Sequence, residues 1–266
     1  MSAPLRLETR TAGALSAGRT TPSRLHFLLK ERPVVWKLLS IGIVLLAWEI
    51  AGRIPISFAF PAASEVFLAF LRMTADGSLP AAFVETLKPL VAGVVLSAVV
   101  GVALGVLMGL SRLGEWLIAP IFIVLQAAPM AALVPLLTFI YGIGFTSKML
   151  AVGLLALPGI ALNGYKAIRT ANPTLVAMCR SFLGTRRQQI FKVIIPDATP
   201  VIFAGLRLGV AAGFIGVMLA ELLITPTGIG DLITYHRSVA DYAEMYAAVV
   251  SIIVLSAVTL AALEAF

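Results

Sequence analysis

Six stretches of this chain run apolar over a membrane's thickness, and the polar positions collect between them. A helix rises about 1.5 Å per residue, so a hydrocarbon core of about 30 Å needs roughly 20 apolar residues. Leu90 to Leu110 supplies them without one charge. Trp116 to Ser147 is also uncharged, and its first two thirds predict a span ending near Tyr141. Met149 to Tyr165 and Met245 to Leu263 predict two more. Val34 to Ile54 holds Lys37 and Glu49 near its ends, and Val201 to Ile224 holds Arg207 and Glu221. The expected fold is therefore all-α and integral to a membrane. Its six spans lie over about 34–54, 90–110, 117–141, 149–165, 201–224 and 245–264, with a polar loop over 166–200. Residues 34–266 read as one domain without internal repeats. Residues 1–33 read as a largely disordered tail, because the first 25 are rich in Ser, Thr, Ala, Gly and Arg and lack an apolar period.

Composition leaves no comfortable soluble alternative. Of 266 residues, 60% are hydrophobic and 12% charged, whereas a soluble domain must keep a polar exterior. The net charge of +7 would suggest nucleic acid in a soluble protein, but here the placement of the charges decides. The tail carries Arg6, Arg10, Arg19, Arg24, Lys30, Arg32 and Lys37, and the fourth loop Lys166, Arg169, Arg180, Arg186, Arg187 and Lys192. The opposite loops hold Glu65, Asp76, Glu85, Asp231, Asp241 and Glu244 against Arg53, Arg72, Lys148 and Arg237. By the positive-inside rule, the tail and the 166–200 loop face the cytoplasm. No nucleic-acid partner is expected. The lone Cys179 excludes an intrachain disulfide, and His26 and His236 read as ordinary surface residues. No metal site and no catalytic cluster is expected.

Within the spans, Gly101, Gly105 and Gly109 recur every four residues, as do Gly205, Gly209 and Gly213. Each ladder lies on one helical face and lets a second backbone approach. It serves static packing, or helices that slide during transport. Pro120, Pro129, Pro135 and Pro158 predict bends. Gln126, Thr138, Asn163 and Glu221 are candidates to line a solute path; Glu221 equally suits a pair with a neighbouring helix. Arg207, about one turn inside the cytoplasmic end, can snorkel to the interface.

The 166–200 loop is the most informative polar segment. Asn172 followed by Pro173 predicts a capped helix start. Leu175, Met178, Cys179 and Phe182 then fall at i, i+3, i+4 and i+7, one apolar stripe, and Gly184 ends the helix before Arg186 and Arg187. Such a helix suits anionic lipid or a partner's groove, and the residues alone do not choose.

The loop resembles the cytoplasmic coupling segment of ABC importer permeases, with Val193-Ile194-Ile195-Pro196 as its ending. From about Trp48 to Ala262 the chain is similar to the nitrate, sulfonate, taurine and bicarbonate group. The resemblance rests on Phe60 to Val66, Thr86-Leu87-Lys88, Met108 to Ser111, Ala128-Pro129 and Pro135-Leu136. It continues through Gly142-Ile143-Gly144, Gly205-Leu206-Arg207, Ala220-Glu221-Leu222 and Gly228-Ile229-Gly230. Two departures stand out. The group's Glu-Ala-Ala positions are Ala177, Met178 and Cys179, so its acidic residue is missing, and its glycine falls at Leu183, one residue before Gly184. Members of the group also continue into a basic cytoplasmic tail, whereas this sequence stops at Phe266.

The resemblance implies the membrane-spanning subunit of an ATP-driven, binding-protein-dependent importer in the bacterial cytoplasmic membrane, with a coupling helix between the fourth and fifth spans. It implies a second permease copy, two cytoplasmic ATPase subunits that use ATP and Mg, and an external periplasmic or lipid-anchored substrate-binding protein. Leu175, Ala177, Met178, Cys179, Phe182, Gly184, Arg186 and Arg187 would then form the ATPase-coupling surface. This chain has no G-x-x-x-x-G-K-[ST] loop, so it is expected to bind no cofactor and to be no enzyme itself. The alternative is an ion- or proton-coupled secondary transporter, which would want paired intramembrane acids or matching broken helices.

Overall fold

The computed structural model describes residues 33–54, 59–224 and 226–265, so the tail expected over 1–33 lies outside the described residues except for Pro33. The chain divides into two units, Met1–Trp48 and Glu49–Phe266. Helix α1 (Pro33–Arg53) supplies the described part of the first, and along Val35–Leu46 its apolar side chains are exposed all round, as on a helix bathed in lipid. In the second unit, Glu49 accepts hydrogen bonds from the Ser64 N–H (2.9 Å) and Oγ (3.0 Å).

The second unit continues with α2 (Ala63–Ala75), α3 (Ser78–Leu110), α4 (Arg112–Ala127), α5 (Met130–Tyr141) and α6 (Phe145–Arg169). A short helix α7 (Pro173–Ser181) comes next, then α8 (Arg186–Gln188), a π-helical stretch Gln189–Ile194, α9 (Ile195–Leu223), α10 (Ile229–Ser238) and α11 (Tyr242–Glu264). No strand occurs among the described residues. Among the described residues, five helical runs are long and apolar enough to cross a membrane, and α4 with α5 makes a sixth of that composition.

Several helices begin earlier than the expected spans. Helix α3 begins at Ser78 rather than 90, α6 covers Phe145–Arg169 rather than 149–165, and α9 begins inside the expected loop at Ile195. Hydropathy marks the apolar stretch of a helix, whereas backbone hydrogen bonds continue into the polar ends. The stretch 117–141, expected as one span, is two helices bent by 104°. The break falls where Pro129 has no N–H to donate and pushes Ala128 into the extended region (φ −68°, ψ 140°).

Helix α6 is the centre of the bundle, with Ala151, Val152, Ala156, Ile160 and Ala161 at most 1% exposed. The two glycine ladders explain why. A Cβ at Gly105 would stand 2.6 Å from the Ala161 carbonyl oxygen, and one at Gly101 2.9 Å from Ile160 Cγ2. From the other side, a Cβ at Gly205 would stand 2.6 Å from Asn163 Cβ, while Gly209 lies against Ile160. Both α3 and α9 thus press glycine faces onto α6, the close backbone approach that drives packing in lipid. Gly213 extends its ladder onto α3, where a Cβ would meet Val94 Cγ2 at 2.8 Å.

Candidate functional site

The loop between α6 and α9 folds as a helix held at both ends. Asn172 Oδ1 accepts the Thr174 N–H (2.9 Å), and Pro173 opens the first turn, as the sequence predicts. At the other end the Gly184 N–H donates to the Cys179 carbonyl (2.9 Å) and the Leu183 N–H to that of Arg180 (2.9 Å). These are the paired bonds of a Schellman termination. Its left-handed residue is Leu183 (φ +57°), not a glycine. Gly184 is required for space instead, because a Cβ there would stand 2.6 Å from the Cys179 carbonyl oxygen.

Helix α7 contributes no buried side chain. Leu175, Ala177 and Met178 are exposed, Cys179 is half-buried, and Phe182 and Leu183 reach 80% and 92% exposure. Arg186 and Arg187 stand exposed on the next turn, which Thr185 and Gln188 close as a reciprocal capping box. The candidate coupling residues therefore share one short helix and its exit. Two polar contacts fasten that helix to the chain beyond it: the Asn172 N–H donates to Asp197 Oδ2 on α9 (2.8 Å), and Arg180 Nε to Gln189 Oε1 (3.3 Å). Behind it lies a cleft of about 520 Å³ lined by Ile168, Ala171, Val176, Ala177, Arg180 and Ile194, among others.

At the far end of the bundle sits a cluster of buried polar groups. Lys148 Nζ on α6 lies 2.7 Å from Glu221 Oε1 on α9, with side chains 3% and 0% exposed. The same ammonium donates to the Thr227 carbonyl and Oγ1, both at 2.9 Å. Thr86 on α3 donates its hydroxyl to the Glu221 carboxylate (2.9 Å) and accepts the Ile229 N–H (3.0 Å). The Gly230 N–H completes the carboxylate's shell at 3.0 Å. A Cβ on Gly228 or Gly230 would collide with Glu221, so both glycines serve this cluster. Both charges of this cluster have a partner of opposite sign, the condition under which ions are tolerated in an apolar interior.

The four candidate path residues are not gathered into one place. Glu221 is in this cluster, Asn163 Nδ2 donates to the Gly159 carbonyl of its own helix (2.8 Å), and Thr138 Oγ1 donates to the Pro135 carbonyl (2.8 Å). Gln126 is exposed near the end of α4. Arg207 is half-buried on α9, and its Nε has no hydrogen-bond partner among the described residues. Sequence reasoning missed Lys148, which it assigned to an outer loop, and Thr86, which precedes the expected second span. The one available signal was their nearness to short motifs, Thr86-Leu87-Lys88 and Gly142-Ile143-Gly144. Pairing across 135 and 73 residues leaves no local trace.

A family described as the binding-protein-dependent transport system inner membrane component matches residues 101–266. That stretch holds α4 to α11, including the loop that carries α7 and also Glu221. The chain belongs to this family. Among its relatives, a putative aliphatic sulfonates transport permease protein of Bacillus subtilis is 27% identical over 224 residues, covering 84% of this chain and 81% of the relative. The taurine transport system permease protein of Escherichia coli is 30% identical over 133 residues, 50% of this chain and 48% of that one. A formylaminopyrimidine transport permease protein of Halalkalibacterium halodurans is 26% identical over 191 residues, 70% and 75% of the two chains. The protein is thus an ABC permease, a multi-pass inner-membrane transport subunit of a binding-protein-dependent importer, and is similar to permeases of sulfonate and taurine systems. Nothing in the described residues favours the ion-coupled alternative: the buried acid Glu221 already has its own lysine.

Proposed function

We propose that α7 and its exit dock into a groove on a cytoplasmic ATPase subunit and carry the motion of an ATPase pair into α6 and α9. The permease works as two copies beside two ATPase subunits, which bind ATP and Mg, and an external binding protein delivers solute. The tail and α7 face the cytoplasm, and lipid covers the outer helix faces. The observation carrying this reading is a helix capped at both ends that buries none of its own side chains. A nine-residue helix is marginal alone in water, so an apolar stripe ending in Phe182 needs a surface to cover it. Family membership supports a protein groove over lipid, and Arg180, Arg186 and Arg187 suit an acidic rim. The cargoes in the relatives' names range from sulfonates to a pyrimidine, too wide a range to transfer one of them here. Phe182→Asp tests the reading. In reconstituted vesicles it is expected to weaken ATPase docking about thirtyfold, the loss of a hot-spot anchor, and to abolish solute-stimulated ATP hydrolysis while the permease stays inserted. Full stimulation in that variant would remove the coupling role.

A further inference from the structure

His236 stands in the last turn of α10, Asp241 just before α11, and Glu244 in the first turn of α11. The turn between them is tight: the Asp241 N–H donates to the His236 carbonyl (2.9 Å), and Ala240 takes φ +59°. One imidazole nitrogen and two carboxylate oxygens come to lie within 4.8 Å of one another. His236 is not the surface residue that its sequence context predicts. Its side chain is 12% exposed, with the ring edge-on to Tyr235 at 5.1 Å. Nδ1 lies 3.1 Å from Glu244 Oε2 but out of line for a hydrogen bond, so this buried atom has no hydrogen-bond partner among the described residues. Leaving such an atom unsatisfied is unfavourable, and a cation between it and the carboxylates removes the cost.

The donor set narrows the cation. Calcium and magnesium favour oxygen-only shells, whereas imidazole nitrogen with carboxylate oxygen suits zinc and its neighbours. Ligands on a tetrahedral zinc ion stand about 3.4 Å apart, given bonds of about 2.0–2.2 Å. The His236–Glu244 separation is already near that value, and the donor atoms of all three residues lie within 4.8 Å of one another. Two carboxylates also balance a divalent charge. We propose that His236, Asp241 and Glu244 form a three-ligand site for a divalent transition ion of the zinc class, with a fourth position left to water. The ion would clamp α10 to the start of α11, at the end of α9 remote from the coupling loop.

Cobalt(II) is a direct probe because its tetrahedral complexes absorb visible light. Full-length permease in detergent, with any histidine tag removed, is expected to develop ligand-field bands that saturate at one ion per chain and bleach on addition of zinc. His236→Gln and Glu244→Gln should each weaken cobalt binding about a hundredfold or more, since even outer-shell losses cost ten- to hundredfold. Size-exclusion elution reports whether each variant is folded, and Asp241→Asn provides a third, independent ligand deletion. His26→Gln, at the chain's other histidine, should leave the bands unchanged. Absence of bands in the unmodified protein, bands that survive His236→Gln, or bands lost with His26→Gln would each overturn the site.

Discussion

Lys148 and Glu221 show how a charged pair becomes tolerable where water is scarce. Each gives up hydration, and the loss is recovered by the other's charge together with Thr86, Thr227 and the Gly230 N–H. The pair holds α6 to α9 and, through the Thr86 hydroxyl, to α3. Breaking one side strands a buried charge, which typically costs about 3–5 kcal/mol, whereas removing both charges costs less. Lys148→Met should therefore lower the melting temperature of the detergent-solubilised permease markedly. The double variant Lys148→Met with Glu221→Gln should recover part of that loss, as read by thermal unfolding. A double variant no more stable than the single one would mean that the ion pair is not what holds these helix ends.

Helix α7 is a case of an element whose ends are specified more sharply than its middle. Asn172 and Pro173 open it and a Schellman pair closes it, yet the closing residue is Leu183 at φ +57°. A side chain other than glycine in that region costs roughly 1–2 kcal/mol, and here Leu183 is 92% exposed with no packing to offset the strain. Leu183→Gly should accordingly steady the helix by about 1 kcal/mol, slowing amide exchange at Leu183 and Gly184 in the isolated permease. Should Leu183 also enter the partner groove, the same variant will weaken ATPase docking while the helix grows steadier. Unchanged exchange would show that the strain is absent. The long helices obey another logic: α3 and α9 are placed by glycine faces that admit α6, and the α4–α5 bend by a proline that withholds a donor.

At the scale of the molecule, the α7 loop and the buried cluster occupy opposite ends of α9, whose 29 residues span about 43 Å. Asp197 joins α7 to the near end by accepting the Asn172 N–H. If that contact passes movement onward, Asp197→Ala will leave ATPase subunits copurifying but reduce solute-stimulated hydrolysis about two- to fivefold, the equivalent of one exposed hydrogen bond. Equal stimulation in variant and parent would remove Asp197 from the route. Much of this was legible in the chain alone. Runs of apolar residues announced the membrane helices, because a bilayer demands length and hydropathy from consecutive positions. Asn172-Pro173 and the stripe through Phe182 announced α7, because caps and helical faces are local. The glycine ladders foretold close packing without naming α6 as the common partner. The bend at Pro129 could be suspected from the residue, but not its 104°. The partners of Glu221, and the meeting of His236 with Asp241 and Glu244, were decided by the tertiary structure. Consecutive residues carry hydropathy, caps and periodicity, whereas a buried charge takes its partner from whichever helix end packing brings beside it.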